Sequence, residues 1–149
     1  TPLEHRMTTN SAAVTALAAK LGAAGADTLT LQRPIVPETV GKEIARRFTD
    51  VDLVLTPDNI DDAVLGHVVA RELGADLVFA WNDEGLLGLT QTTAAGMRTL
   101  LLSYDWATYP GLTSIVTLAQ SELLDAIGVV SVLSPGPVSD VELPVTLLA

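Results

Sequence analysis

From residue 51 onward the sequence alternates between short apolar segments and longer amphipathic ones, and this alternation constrains the fold more than any other feature. The apolar segments predict strands at residues 51–56, 76–81, 99–104 and 129–133. Two predicted helices connect them, residues 60–73 and 112–127, and each is followed by a glycine, Gly74 or Gly128, as helix C-termini favour. Continuous apolar strands are typical of parallel sheets buried on both faces. We therefore expect an α/β fold in which helices flank a parallel sheet.

The remaining segments add elements at both ends of this unit. Upstream, apolar spacing predicts a helix over residues 10–22, a short strand over 28–31 and a helix over 38–48, with a turn at Pro34 and Pro37. Downstream, residues 141–148 predict an edge strand, because Pro144 disfavours a central position. The polar stretch 82–97 is long for a connector, and we interpret it as a functional flap or an ordered excursion.

Length and composition predict one domain. The chain has 149 residues and 48% hydrophobic content, enough for one buried core and too little for two typical domains. We take residues 7–149 as this domain, with Met7 as the natural start and residues 1–6 as a non-native remnant. Lys20 interrupts the Ala-rich stretch 12–26, which favours a helix over a secretory signal, so we expect a cytoplasmic protein.

Charge and residue usage exclude several classes of function. The chain lacks cysteine and its two histidines, His5 and His67, are far apart, so we expect no Cys- or His-based metal site. The net charge is -10, and the only dense basic cluster is Lys42, Arg46 and Arg47 on one predicted helix. Nucleic acid needs a larger basic surface. We therefore expect neither nucleic acid nor a membrane as a partner.

Two segments carry a resemblance to a known family. Residues 100–111 read LLLSYDWATYPG, which resembles the type I phosphoribosyltransferase signature, roughly VLLVDDVITTGG. Residues 67–74 read HVVARELG and resemble a helix end common in the family, AxxVARELG. The resemblance, to orotate phosphoribosyltransferase-like members, spans about residues 28–135. It implies a Rossmannoid parallel sheet with a small N-terminal hood, often in a homodimer. It also implies transfer of ribose 5-phosphate from phosphoribosyl pyrophosphate (PRPP) to a nitrogenous base with Mg²⁺.

The segment that resembles the PRPP loop departs from the family pattern. The family's acidic pair contacts the ribose hydroxyls, whereas here Tyr104 precedes Asp105. The family's phosphate loop uses small residues so that successive N–H groups wrap the phosphate, but here Tyr109 is bulky and Pro110 lacks the N–H donor. We predict a degenerate PRPP loop with these positions: Tyr104, Asp105, Trp106, Thr108, Tyr109, Pro110 and Gly111.

The segment that resembles the pyrophosphate loop is also altered. Small residues are usual there, whereas this chain has several carboxylates that would repel a diphosphate. No Lys or Arg occurs between Glu72 and Met97, where the family's flap brings a basic residue to the leaving group. We predict a degenerate pyrophosphate loop with these positions: Pro57, Asp58, Asn59, Asp61 and Asp62.

Two features of these loops have alternative interpretations. Half of the chain's Phe, Trp and Tyr residues lie between Tyr104 and Tyr109. They either form an aromatic ligand pocket or, as we favour, fill space that a phosphate occupies in the family. The carboxylates of the 58–62 segment and Asp105 either coordinate Mg²⁺ or Ca²⁺ or, as we favour, belong to a helix start capped by Asp58 or Asn59.

These departures favour a non-catalytic phosphoribosyltransferase-like protein with a binding or regulatory role, no catalytic residues, no bound metal or cofactor and a homodimeric assembly. The alternative is a divergent phosphoribosyltransferase in which Asp105 contacts ribose, Thr108 and Gly111 hold phosphate, and Mg²⁺ replaces the missing basic groups. A third hypothesis is a structural subunit that pairs through the edge strand 141–148.

Overall fold

A computed structural model describes residues 33–107, 111–134 and 145–147 of the chain. Within these residues there are three helices: α1 (Ile35–Arg47), α2 (Ile60–Leu73) and α3 (Leu112–Ser121). The strands are β1 (Leu53–Pro57), β2 (Asp76–Asp83), β3 (Leu86–Leu89), β4 (Arg98–Asp105), β5 (Asp125–Ser134) and β6 (Val145–Leu147).

The strands form one six-stranded sheet in the order β3-β2-β1-β4-β5-β6. All neighbouring strands are parallel except β3, which runs antiparallel to β2. The predicted α/β fold with helices flanking a mostly parallel sheet is therefore confirmed. Because β1, β2 and β4 run in the same direction, their carboxyl ends share one edge of the sheet, which we call the carboxyl edge. The opposite edge is called the amino edge.

Both faces of the sheet are covered, which explains why its central strands are apolar throughout. One face packs against α1 and α2 through buried side chains that include Val40, Ile44, Val54, Leu65, Val69, Leu100 and Leu102. The other face packs against α3 through buried side chains that include Leu53, Leu55, Leu101, Leu112, Ile115 and Val129. Each of these residues is removed from water, so both faces stabilise the fold.

Helix α2 matches its predicted bounds and lies very close to the sheet. A Cβ at Gly66 would come within 2.9 Å of both Leu77 Cδ1 and Thr56 Cγ2, so only glycine allows this approach. The helix ends at Gly74, which has a φ of 68° and donates its N–H to the carbonyl groups of Ala70 and Arg71. The predicted glycine C-cap is confirmed at this position.

Helix α1 begins earlier than predicted, and its basic flank is partly neutralised. It starts at Ile35, so Pro37 lies in its first turn, where no N–H donor is needed. Glu43 is buried and accepts hydrogen bonds from Arg46 at 2.8 Å and Arg47 at 3.0 Å. Two of the three basic side chains of this flank are therefore paired within the helix.

The connection after α3 differs from the prediction. The helix ends at Ser121 instead of Ile127, because Leu123 adopts a φ of 59° and β5 begins at Asp125. The predicted C-cap at Gly128 is wrong, since this glycine lies inside β5 next to a shift in register with β4. Apolar residues continue the helical spacing through this turn, and a leucine at positive φ leaves no signal in the sequence.

The polar stretch after β2 is an ordered excursion that contains β3. Strands β2 and β3 are joined by Glu84 and Gly85 with φ values of 50° and 89°, the geometry of a type I′ hairpin turn. Trp81 lies against Gly88, where a Cβ would come within 2.2 Å of the indole. The Trp81 Nε1–H donates to the Leu89 carbonyl at 3.2 Å.

Strand β6 is the last strand in the sheet order and pairs in parallel with β5, in the region of the predicted edge strand 141–148. The predicted helix 10–22, the strand 28–31, the hood and residues 1–6 lie outside the described residues. Among the helices that the structure describes, none has the combination of length and apolar character that crossing a membrane requires.

Candidate functional site

The start of α2 lies at the carboxyl edge and is capped by the chain itself. Asn59 is the N-cap residue, and its Oδ1 accepts the N–H of Asp62 at 2.8 Å. Its Nδ2 donates back to Asp62 Oδ2 at 2.8 Å. One of the free N–H groups that a helix start offers to an anion is therefore already bound.

The Asp62 carboxylate also joins α2 to the end of β4. It accepts the backbone N–H of Tyr104 at 2.7 Å and the hydroxyl of Ser103 at 3.1 Å. Asp62 is only 3% exposed. Burial raises the pKa of Asp62, although the hydrogen bonds from Tyr104, Asn59 and Ser103 act in the opposite direction. The end of β4 and the start of α2 are thus connected by a buried carboxyl group.

Tyr104 lies beside this link with its phenol half-buried against the core under α2. Burial, reinforced by the charges of Asp61 and Asp105, raises the pKa of Tyr104 to about 12. Its hydroxyl oxygen is buried and has no hydrogen-bond partner. The side chain is therefore a neutral phenol at physiological pH, at the position where the family resemblance implies a carboxylate.

Asp105 ends β4 and organises the turn that follows. Its Oδ1 accepts the N–H of Ala107 at 2.9 Å, and its own N–H donates to Ser103 Oγ at 3.2 Å. Its carboxylate therefore holds the local backbone in a turn.

Trp106 fills the core directly beneath the loop. It is 1% exposed, and its Nε1–H donates to the Val130 carbonyl at 2.9 Å. It belongs to the same buried cluster as Leu112 and Ile115 of α3. The indole thus attaches the start of the loop after β4 to the sheet.

The start of α3 differs from that of α2 because its N-cap residue has no side chain that could cap it. Its N-cap residue is Gly111, which has a φ of 81° and a ψ of 157°, and its first turn carries no acidic residue. Thr108, Tyr109 and Pro110, which precede it, lie outside the described residues. Without a cap, the first N–H groups of α3 have no side-chain acceptor from the N-cap position.

The loops at the carboxyl edge carry a single sign of charge. Pro57 is buried, while Asp58 and Asp61 are exposed. The β2–β3 hairpin extends beyond the end of β1 and presents Asp83 and Glu84, both exposed. In the described part of the loops after β1, β2 and β4, every charged side chain is acidic. Nowhere in the described residues do three or more His, Cys, Asp or Glu side chains form a group able to hold a metal ion.

The structure brings some predicted site residues together and adds one that the sequence did not indicate. Asp62 and Tyr104, from different predicted loops, are directly hydrogen-bonded. Ser103 was not predicted, because a serine inside an apolar strand carries no signal for a contact 41 residues away. The Asn59-x-x-Asp62 spacing, similar to a capping box, is the signal that identifies the cap.

Comparisons with known proteins identify the fold. No family profile matches the sequence, and no curated protein does either. An adenine phosphoribosyltransferase structure superposes with a TM-score of 0.65 at 16% identity, covering 79% of this chain and 82% of that one. The chain has the type I phosphoribosyltransferase fold.

Two further structures show how distant this likeness is. The adenine phosphoribosyltransferase of Trypanosoma brucei superposes on 78% of this chain with a TM-score of 0.61 at 15% identity. This chain spans only 64% of the length of that enzyme. A hypothetical protein from Neisseria gonorrhoeae with bound ppGpp matches at TM-score 0.57 and 11% identity, covering 76% of this chain and 78% of that one. At such identities the comparison establishes the phosphoribosyltransferase fold and leaves activity open.

Proposed function

We propose that this chain is a non-catalytic phosphoribosyltransferase-like protein with a binding or regulatory role. The observation that carries the proposal is the charge of the carboxyl edge, where the described loops after β1, β2 and β4 present acidic side chains as their only charged groups. PRPP carries a phosphate and a pyrophosphate, and like charges repel each other. The acidic side chains at the carboxyl edge would therefore repel PRPP, the substrate that enzymes with this fold use.

The hydrogen bonds of α2 support the same proposal. A pyrophosphate at the start of this helix would compete with Asn59 for the N–H of Asp62 and would approach a buried carboxyl group. Arg33 is exposed just before α1, outside these loops. The described loops thus offer no cation that stabilises a leaving pyrophosphate.

Isothermal titration of the purified protein tests this proposal. PRPP with Mg²⁺, ribose 5-phosphate and ppGpp are titrated separately, with an active adenine phosphoribosyltransferase as the positive control for PRPP. We expect no heat of binding from any of the three with this protein. Saturable binding of PRPP at micromolar concentration would overturn the proposal.

A second candidate function is the divergent transferase, and the uncapped start of α3 is the observation that favours it. Gly111 and the absence of acidic residues in the first turn leave N–H groups that suit a phosphate. In this hypothesis Asp105 contacts ribose, and Thr108 and Gly111 hold the phosphate. The described side chains do not fit a metal site made by the protein alone, so Mg²⁺ would have to arrive with the substrate.

A matched pair of variants distinguishes the two candidates. Thr113 and Thr117 are both exposed, one turn apart on α3. Thr113→Asp adds a carboxylate in the first turn, where it repels a bound phosphate, whereas Thr117→Asp adds the same charge farther from the helix start. In assays of pyrophosphate release with PRPP and a panel of bases, a true transferase loses turnover with the first variant and keeps it with the second. We expect no turnover above background from any of the three proteins.

We also propose a homodimer located in the cytoplasm, following the assembly that the family resemblance implies. Size-exclusion chromatography with light scattering measures the assembly directly. A monomeric mass across the micromolar range would overturn the dimer.

A further inference from the structure

Strand β3 is the first strand in the sheet order, so only one of its two sides pairs with a neighbouring strand. In an antiparallel ladder, residues whose N–H and C=O groups point to the neighbouring strand alternate with residues whose groups point away. The Thr90 N–H donates to the Phe79 carbonyl at 2.9 Å, so the groups of Gly88, two residues earlier, also point toward β2. The N–H and C=O groups of Leu87 and Leu89 therefore point away from the sheet, along what we call the outer side of β3.

The side chain of Trp81 reaches this outer side. Trp81 lies on β2 directly opposite Gly88. A Cβ at Gly88 would clash with the indole, so the ring lies across the β3 backbone at a position that has no side chain. The Trp81 Nε1–H donates to the Leu89 carbonyl at 3.2 Å. The indole thus extends from β2 across β3 and binds one of the outward groups.

The strand itself has little of the protection that edge strands commonly carry. Natural edge strands are short, or they carry charged side chains, proline or a covering segment. Strand β3 is short, with four residues, but its sequence LLGL contains neither charge nor proline. Its first residue, Leu86, is 67% exposed. Among the described residues, Trp81 is the one that hydrogen-bonds to the outward groups of Leu87 and Leu89.

The outward groups of β3 are complementary to those of a second copy of the chain. When two β3 strands lie antiparallel with Gly88 opposite Gly88, Leu87 of each copy faces Leu89 of the other. Every outward N–H of one strand then meets an outward C=O of the other, in a two-fold symmetric contact. In this register the acidic turn at Glu84 faces the uncharged residues 91–92 of the second copy, so like charges do not meet.

The Trp81 indole blocks this pairing at its centre. The Leu87 N–H of a second copy needs the Leu89 carbonyl as its acceptor, and this carbonyl is already bound by the indole. The ring also lies over Gly88, where the two strands would approach each other most closely. Because both copies carry the same side chain, the symmetric contact is blocked on both strands.

We propose that the outer side of β3 is a pairing surface for the β3 strand of a second copy, and that the Trp81 indole keeps this surface closed. Loss of the indole frees the Leu89 carbonyl and lets the sheets of two copies join. The homodimer proposed above is a separate contact, so either proposal can fail without the other.

Replacement of Trp81 tests the proposal in the full chain. Trp81→Leu removes the ring and its donor, whereas Trp81→Phe keeps a ring without the donor. Phe79→Leu is the matched control, because Phe79 is two residues away on β2 and faces the same side of the sheet. Size-exclusion chromatography with light scattering measures the mass at high micromolar concentration. We expect both Trp81 variants to reach about twice the wild-type mass and Phe79→Leu to keep the wild-type mass.

Amide hydrogen exchange shows whether the new contact lies at β3. In the wild type the outward N–H groups of Leu87 and Leu89 should exchange rapidly, whereas the Gly88 N–H, which points to β2, should exchange slowly. In Trp81→Leu we expect exchange at Leu87 and Leu89 to become about tenfold slower as the protein concentration rises. Exchange at Gly88 should not depend on concentration.

A second substitution at Gly88 tests the register of the pairing. Gly88 is not among the glycines with positive φ, so other residues fit its backbone once the indole is absent. Trp81→Leu with Gly88→Lys places two like charges opposite each other at the symmetry axis, which should restore the wild-type mass. Trp81→Leu with Gly88→Thr places an uncharged strand-forming residue there and should keep the doubled mass.

Three results would overturn the proposal. The first is a folded Trp81→Leu variant that keeps the wild-type mass, with Trp81→Phe providing the same test where Trp81→Leu does not fold. The second is fast exchange at Leu87 and Leu89 in a variant of increased mass. The third is an increase in mass that Phe79→Leu reproduces or that the added Gly88→Lys substitution leaves unchanged, since another surface would then be responsible.

Discussion

Helices α2 and α3 both start at the carboxyl edge, each after a strand of the sheet. Their N-termini differ in whether the N-cap residue has a side chain that caps the helix. At α2 the chain supplies its own acceptors, with Asn59 as the cap and the buried Asp62 carboxyl group bound to the end of β4. At α3 the N-cap is Gly111, which has no side chain with which to cap the helix. A helix N-terminus is an anion site only while its N–H groups are free.

This difference separates a helix start whose N–H groups are partly bound by the chain itself from one whose N-cap residue offers no side-chain acceptor. The start of α2 is closed by hydrogen bonds and surrounded by carboxylates, so a diphosphate is disfavoured there. The start of α3 has a glycine at its N-cap, and Trp106 attaches the beginning of the preceding loop to the core. Hydrogen bonds of Asn59 and Asp62 therefore hold the loop after β1, whereas the buried Trp106 side chain holds the loop after β4.

Replacing Trp106 tests the aromatic closure and should have the largest effect. Trp106→Ala removes a fully buried indole and its hydrogen bond to Val130, which should lower the free energy of unfolding by about 3–5 kcal/mol. Urea unfolding followed by circular dichroism measures the change. Trp106→Phe retains most of the apolar volume and should cost about 1–2 kcal/mol through the lost donor. A loss below about 1 kcal/mol for Trp106→Ala would show that the indole does not hold the loop.

Replacing Asp62 tests the polar closure. Asp62→Ala leaves the Tyr104 N–H and the Ser103 hydroxyl without their acceptor, so the free energy of unfolding should fall by about 2–3 kcal/mol. Asp61→Ala, in the same turn but exposed, should change it by less than about 0.5 kcal/mol. Equal effects of the two variants in urea unfolding would mean that the buried link between α2 and β4 contributes nothing.

The fold could be predicted from the sequence where local patterns and tertiary packing agree. Helix α2 has an N-cap residue, apolar spacing and a glycine C-cap, and its predicted bounds match the structure. The end of α3 could not be predicted, because apolar spacing continues past Ser121 and the turn depends on Leu123 at positive φ. Strand β3 was missed because a four-residue strand at a sheet edge is defined by its partner β2 more than by its own sequence.

The candidate site was predicted only in part, for a related reason. The segments that follow strands can be identified from the sequence, and such segments meet at one edge of a parallel sheet. The hydrogen bond between Asp62 and Tyr104 agrees with that expectation. The contact between Ser103 and Asp62 depends on the crossing of β4 and α2, which no local pattern contains.

Gly111 tests whether the open start of α3 depends on its glycine. Its φ of 81° and ψ of 157° fall in a region that is essentially restricted to glycine, and a Cβ there would meet nothing within 4 Å. Gly111→Ala should therefore lower the free energy of unfolding by about 1.5 kcal/mol through backbone strain alone. Gly74→Ala at the end of α2, also free of contacts, should cost about 1 kcal/mol. A neutral Gly111→Ala variant in thermal unfolding would indicate that the start of α3 adopts another backbone conformation.

The titration of Tyr104 gives the smallest but most local test, because its phenol packs on the core under α2 and is affected by the charges of Asp61 and Asp105. In a Tyr109→Phe variant Tyr104 is the remaining tyrosine, and tyrosinate absorbance should report a pKa near 12 instead of 10.0. Because the folded pKa is raised, the neutral phenol stabilises the native state below pH 10, and this contribution is lost as pH rises from 10 toward 12.

The causes of that shift can be separated by charge removal. Asp61→Asn should lower the Tyr104 pKa, because the Asp61 charge is one of its causes, whereas Asp58→Asn should leave it nearly unchanged. An ordinary tyrosine pKa in the folded variant would mean that the phenol is solvated. The surface beneath the start of α2 would then be open to solvent, and the contrast between the starts of α2 and α3 would no longer hold.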